Sequence, residues 1–257
     1  MNLSVGIITL NEEKNLDRTL QSVKAIADEI IIIDSGSTDK TFEIAQKHNA
    51  KFIFHKWEGF GKQKNFAIEQ CSGEWILLID ADEVLSEELI NRIKFIKENE
   101  IEKKVFKINR CSICFGKLLK HGGWSNQYAI RLWKKGAVMV NDNLVHEEFL
   151  TKEEIHKIPE KIYHYTYNTL DDYFVRFNKY TTLGAQEYFK RGKKASTLKI
   201  VFNPIYKFIK MYIIRLGCLD GIEGFTLACA SAMYSMVKYF KLREMYKTGA
   251  YSDTSGQ

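Results

Sequence analysis

Gly73-Glu74-Trp75-Ile76-Leu77-Leu78-Ile79-Asp80-Ala81-Asp82-Glu83 is the stretch on which the fold turns. Its apolar run marks a strand over residues 74–79 that is covered on both faces. The run stops on Asp80 and Asp82, at a place where unpaired charge is costly. Two hard oxygen donors two positions apart suit Mg²⁺ or Mn²⁺ bridging to phosphate oxygens. Alone, such a pair is ordinarily just solvated; its place behind a central strand is what calls for a cation.

The same design recurs upstream. Leu3–Thr9 is a β-rich apolar run, and Asn11 is placed to cap a helix opening with Glu12 and Glu13. Residues 29–33 end on Asp34, and Ser37 or Thr38 can cap a second helix through His48, with Asp39 read as a further cap. Residues 51–55 form a third strand and residues 62–71 a helix; Ser86 caps another helix to Lys97, and residues 104–108 form a fifth strand. Strands alternating with helices predict an α/β fold with right-handed crossovers and a mostly parallel central sheet. Ligands of such sheets bind beyond the carboxyl ends of the strands. The loops after Thr9, Asp34 and Asp80 should therefore converge on one edge. There Thr9 and Asn11 can line a base pocket, and Asp34 can accept from a base N–H or a sugar hydroxyl. Glu12 is either a pocket carboxylate or a first-turn partner of the helix dipole. Lys62, Lys64 and Asn65 either favour phosphate at a helix N-terminus or form a basic solvated face.

The 257 residues carry 45% hydrophobic and 27% charged side chains, which excludes a disordered chain and a small disulfide scaffold. The five cysteines are odd in number and scattered, and Cys111 and Cys114 read as two ordinary thiols. Phosphate-loop, dinucleotide and Gly-x-Ser-x-Gly signatures are absent. No basic region precedes the first apolar run, and no apolar stretch is long enough to span a bilayer. A cytoplasmic protein, or one attached to a membrane surface from the cytoplasmic side, is expected.

The net charge of +6 is unevenly placed. Residues 1–169 hold 24 basic and 25 acidic side chains, whereas residues 170–247 hold 14 and 6. Residues 198–217 are rich in aromatic and aliphatic side chains, with Lys207, Lys210 and Arg215 among them; Pro204 is expected to start or kink a helix there. Such a segment suits either an anionic membrane surface or packing on the catalytic domain. Nucleic acid is not expected, because the carboxylate loops would repel a phosphate backbone.

Ser4-Val5-Gly6-Ile7-Ile8-Thr9-Leu10-Asn11-Glu12-Glu13, Ile33-Asp34-Ser35-Gly36-Ser37-Thr38-Asp39 and the Gly73–Glu83 stretch, in this order, resemble the family 2 glycosyltransferases. Gly122-Gly123-Trp124, Arg131-Leu132-Trp133 and Val145-His146-Glu147 resemble a bacterial branch that builds the lipopolysaccharide inner core, including β-1,4-glucosyltransferases. The resemblance implies a GT-A type nucleotide-sugar-binding fold, a divalent metal and inversion at the anomeric carbon. It implies that Asp34 holds the base, Asp80 contacts the ribose or sugar, and Asp82 binds metal and diphosphate. The Gln-x-x-Arg-Trp motif and spanning helices of processive synthases are missing, so one sugar is added.

Inverting transfer needs a base for the acceptor hydroxyl, and Glu147 fits best, with Glu148 and Asp142 as alternatives. His146 is a metal ligand, an acceptor contact or a packed loop histidine. Trp124 is a platform for a sugar face or part of the core, and Arg131 can pair with acceptor phosphate. The expected organisation is a catalytic domain over 1–168, split at 105 into donor and acceptor halves. A basic aromatic helical region over 169–247 and a frayed tail over 248–257 follow. The expected donor is a UDP-sugar and the expected acceptor a glycolipid. A polyprenyl phosphate acceptor, or a non-catalytic nucleotide-sugar-binding membrane subunit, is the alternative.

Overall fold

The computed structural model describes residues 1–99, 101–141 and 148–248. It divides into two units, Met1–Ser112 with Asn126–Thr166, and Ile113–Ser125 with Tyr167–Gln257.

In the first unit, β1 (Leu3–Thr9), β2 (Glu29–Asp34), β3 (Lys51–Phe54) and β4 (Trp75–Asp80) are parallel, in the spatial order β3-β2-β1-β4. Helices α1 (Leu16–Val23), α2 (Thr41–Lys47) and α3 (Phe60–Gln70) supply the crossovers. The isoleucine run of β2 shows why apolar residues follow one another without alternation. Ile32 packs with Leu20 and Val23 of α1, while Ile31 and Ile33 pack with Ala67 of α3 on the other face. Register then aligns the chemistry: Thr9 is opposite Asp34 and Ile8 is opposite Asp80. This is the α/β arrangement with a parallel sheet core that the motifs imply.

Beyond β4 the sheet continues with strands whose pairing local patterning does not specify; the fifth strand expected over 104–108 is the start of β6. After β5 (Glu83–Leu85) and α4 (Glu87–Glu98) come β6 (Val105–Cys114), β7 (Lys117–Leu118) and β8 (Gln127–Lys134). Strand β8 inserts antiparallel between β4 and β6. β9 (Met139–Val140) and β10 (Phe149–Leu150) pair with each other, and β11 (Ile155–Tyr167) runs antiparallel to β5. Ser86 caps α4 as expected, accepting from the Leu89 N–H at 3.2 Å.

Two capping expectations are corrected. Asn11 does not cap α1, which starts at Leu16 behind Asn15; Asn11 sits in the left-handed region with φ 55° and spends its polar groups on the neighbouring loop. Ser37 and Thr38 do not cap α2 either. Of the three residues expected there, it is Asp39 that accepts from the Thr41 N–H at 3.0 Å, in the first turn of α2.

The second unit is helical: α5 (Leu170–Lys190), α6 (Thr197–Ile209) and α7 (Gly221–Thr248), with a π-helical Lys210–Ile214 and a 3₁₀ turn Gly217–Asp220 between α6 and α7. Thr169 and Asp172 form a reciprocal capping box at the start of α5. Pro204 lies inside α6 and does not open it. Among the described residues no helix is long and apolar enough to cross a membrane.

Candidate active site

The loops after β1 and β2 are laced together. The Asn11 N–H donates to Ser37 Oγ at 2.8 Å, and Asn11 Oδ1 accepts from the Thr38 N–H at 2.8 Å. The Glu12 N–H donates to Thr41 Oγ1 at 2.9 Å and the Glu13 N–H to Asp39 Oδ2 at 3.0 Å, while Glu13 Oε2 accepts from the Lys40 N–H at 3.2 Å. Asp34, buried at the end of β2, accepts from the Thr9 hydroxyl at 3.0 Å, from the Gly36 and Ser37 N–H groups at 2.8 Å each, and from the Ser37 hydroxyl. Gly36, at φ 103°, permits the turn. The carboxylate expected to hold the base thus first holds its own loop, and Thr9 serves the same purpose.

The two carboxylates after β4 have separate surroundings. Asp80 Oδ2 accepts from Arg131 Nη2 at 2.8 Å, and Asp80 Oδ1 is 3.6 Å from Lys64 Nζ. Arg131 Nη2 also donates to Glu83 Oε1 at 2.7 Å, and Arg110 Nε approaches the same oxygen to 2.6 Å. Glu83 is fully buried and returns a bond to the Asp80 N–H at 3.0 Å. Burial opposes ionisation of Asp80, yet Arg131, then Lys64 and Arg110, hold its carboxyl well below the usual carboxylate range. Arg131 thus pairs with the Asp80 and Glu83 carboxylates.

Asp82 meets His164 instead. Its Oδ2 lies 3.2 Å from His164 Nε2, and His164 Nδ1 is 2.7 Å from Thr166 Oγ1. The β5–β11 ladder produces this meeting by setting His164 opposite Glu83, and the Tyr165 N–H donates to the Asp82 carbonyl at 2.9 Å. On the side of α1, Thr19 Oγ1 donates to the Ala81 carbonyl at 2.7 Å and fixes the turn.

Lys64, Asp80, Arg110, Arg131, Glu148 and Phe149 line a cleft of about 630 Å³. Asn65 on α3 donates to the Val140 carbonyl at 2.8 Å. Asn141 and Glu148 are tied by Asn141 N–H to the Glu148 carbonyl at 3.0 Å and Glu148 N–H to Asn141 Oδ1 at 2.9 Å. Three cations beside an ionised carboxylate form a polar surface suited to an anionic ligand, with the two guanidinium groups able to fork onto phosphate oxygens. Glu147, His146 and Asp142 lie outside the described residues. Trp124 lies in the second unit, in an apolar cluster with Cys114, Leu119 and Leu227 and with its ring centroid 6.3 Å from that of Tyr167.

Sequence reasoning assigned no role to Glu83, Arg110, His164 or Thr166. One signal was present for the last two. His164 and Thr166 fall on the same alternate positions of β11 as buried Ile158 and Ile162, so the period of two places them on the buried face.

The model of the family "Glycosyl transferase family 2" matches residues 4–143. An uncharacterized glycosyltransferase of Rickettsia bellii is 33% identical over 95% of this chain and 86% of its own length. The lipopolysaccharide core biosynthesis glycosyltransferase LpsC of Rhizobium meliloti is 29% identical over 95% of this chain and 93% of its own. The crystal structure of S. aureus TarS 1-349 overlaps 98% of this chain and 93% of its own at 18% identity and a TM-score of 0.47. With its motif loops gathered at one edge of the sheet and a family match across more than half its length, the chain belongs to glycosyl transferase family 2 and is a glycosyltransferase.

Proposed function

We propose that this glycosyltransferase moves one hexose, with inversion, from a UDP-type nucleotide sugar to a bacterial cell-surface glycolipid of the lipopolysaccharide core. The observation that carries this reading is the divided environment of the Asp80-Ala81-Asp82 turn. Asp80 faces a cationic cleft, while Asp82 stands beside an imidazole. The similarity to LpsC along nearly the whole of both chains supports the acceptor class.

Asp82 and His164 fit a divalent ion in donor type and proximity. Among the described residues no group of three or more His, Cys, Asp or Glu side chains is placed to hold a metal, and Asp82 with His164 are the residues that would hold the ion. A bound Mg²⁺ or Mn²⁺ would supply Lewis acidity toward the leaving diphosphate. The residues themselves do the rest. Lys64 and Arg110 attract the anionic donor, Asp80 accepts from sugar or ribose hydroxyls, and Arg131 keeps Asp80 ionised. Glu147 takes the proton of the acceptor hydroxyl as general base, with Glu148 of the cleft wall and Asp142 as the alternatives. We take the enzyme to work peripherally at an anionic membrane on the cytoplasmic side, where a lipid-linked acceptor is held.

Nucleotide release from UDP-sugars, with purified lipid core acceptors, tests the reading. Asp82→Ala and Glu147→Gln should each lower turnover by about 10²- to 10⁴-fold while the circular dichroism stays that of the wild type. Near-normal turnover in Glu147→Gln together with loss in Glu148→Gln would transfer the base role to Glu148.

A further inference from the structure

Residues 188–219 contain eight Lys and Arg side chains and no Asp or Glu. Helix α6 lies within this window and buries none of its residues fully. Its contact with α7 runs through aromatic edges: the Phe208 ring lies 6.0 Å from that of Phe225, and Tyr212 of the following π-helical turn lies 5.5 Å from it. The opposite side is apolar and open. Leu198, Val201, Phe202, Ile205 and Ile209 recur at helical spacing, Ile213 continues the row, and all six are between 40% and 66% exposed. Lys199 and Lys210 follow the edge of this stripe in the helical rotation, and exposed Tyr206 stands beside Lys210, whose Nζ is 5.6 Å from its ring centroid.

An apolar row of this size needs a cover. A second copy of the chain is a poor one, since a twofold contact would set the same acid-free basic window against itself. Spanning does not fit: among the described residues no helix is long and apolar enough to cross a membrane, and α6 with its π-helical continuation falls short of a hydrocarbon core of about 30 Å. A surface of anionic lipid satisfies both halves of the pattern, because phosphates take the cations while acyl chains take the stripe.

We propose that α6 lies in the plane of an anionic bilayer interface, with the row from Leu198 to Ile213 at the acyl boundary and Lys199 and Lys210 among the lipid phosphates. This rests on the peripheral membrane association proposed above and names the element that makes it. The docked helix would hold the enzyme on the surface that carries a lipid-linked acceptor.

The test is co-sedimentation of the full chain with vesicles of phosphatidylethanolamine and phosphatidylglycerol, against vesicles of phosphatidylcholine alone. Binding is expected only to the anionic vesicles and should weaken with salt. The pair Phe202→Ser with Ile205→Ser, and separately Lys199→Glu with Lys210→Glu, should each weaken it at least about tenfold. Transfer to a water-soluble, lipid-free core oligosaccharide should be unchanged in both. If the wild type binds and both variants bind equally well, α6 is not the docking element, although the membrane reading survives. If the wild type ignores anionic vesicles, that reading falls with it. A dimer in light scattering that the serine variant breaks would assign the stripe to a second copy and overturn the proposal.

Discussion

Glu83 shows how much of the site depends on a residue that contacts nothing outside the protein. Its buried carboxylate is shared by Arg131 and Arg110, and its other oxygen holds the Asp80 N–H. Replacing it with an apolar side chain leaves two guanidinium groups facing Asp80 alone, and a half-broken buried ion cluster is costly. Glu83→Leu should therefore lose about 3–5 kcal/mol in urea unfolding; a loss under about 1 kcal/mol would show that solvent satisfies Arg131. The sequence places Glu83 in a recognisable motif but leaves it without a task, because its partners lie 48 and 27 positions away on strands whose pairing is not local. The same holds for Asp82 and His164, 82 positions apart. Asp80 and Asp82 were legible because an apolar run ended on them.

Elements were legible where a pattern is local. Four parallel strands and the helices behind them follow from apolar runs, and Ser86 announces α4 by a serine before two glutamates. Ser86→Ala should cost about 1 kcal/mol, read as a lower urea midpoint with an unchanged slope. Asn11 carries the same kind of signal yet fails as a cap. A second loop competes for its amide and its carbonyl oxygen, and wins. The antiparallel part of the sheet was less legible for a related reason. β8 enters between β4 and β6, and nothing in the alternation of residues 127–134 specifies those neighbours.

At the scale of the molecule, charge and thiols are partitioned as well as secondary structure. The catalytic motifs lie in a near-neutral part of the chain, and the basic excess falls in the helices of the second unit. All five cysteines are free; Cys71, Cys111 and Cys114 are buried, while Cys218 and Cys229 are exposed. Burial, with the Glu29 charge adding to it, pushes the Cys71 thiol up to about 12, so it stays protonated and unreactive in the folded chain. A disulfide reagent at about pH 8 should titrate two thiols rapidly in the native protein and five after unfolding. Rapid reaction of a third would mark a local opening of the core.

The lacing of residues 11–13 to residues 37–41 also sets a limit on how this enzyme can be re-engineered. Each loop completes the other's hydrogen bonding, so neither is an independent module. A donor specificity grafted from a relative by exchanging one loop would strand the amides of its counterpart. The two segments must be transplanted as a pair, and in natural drift they are constrained to change together.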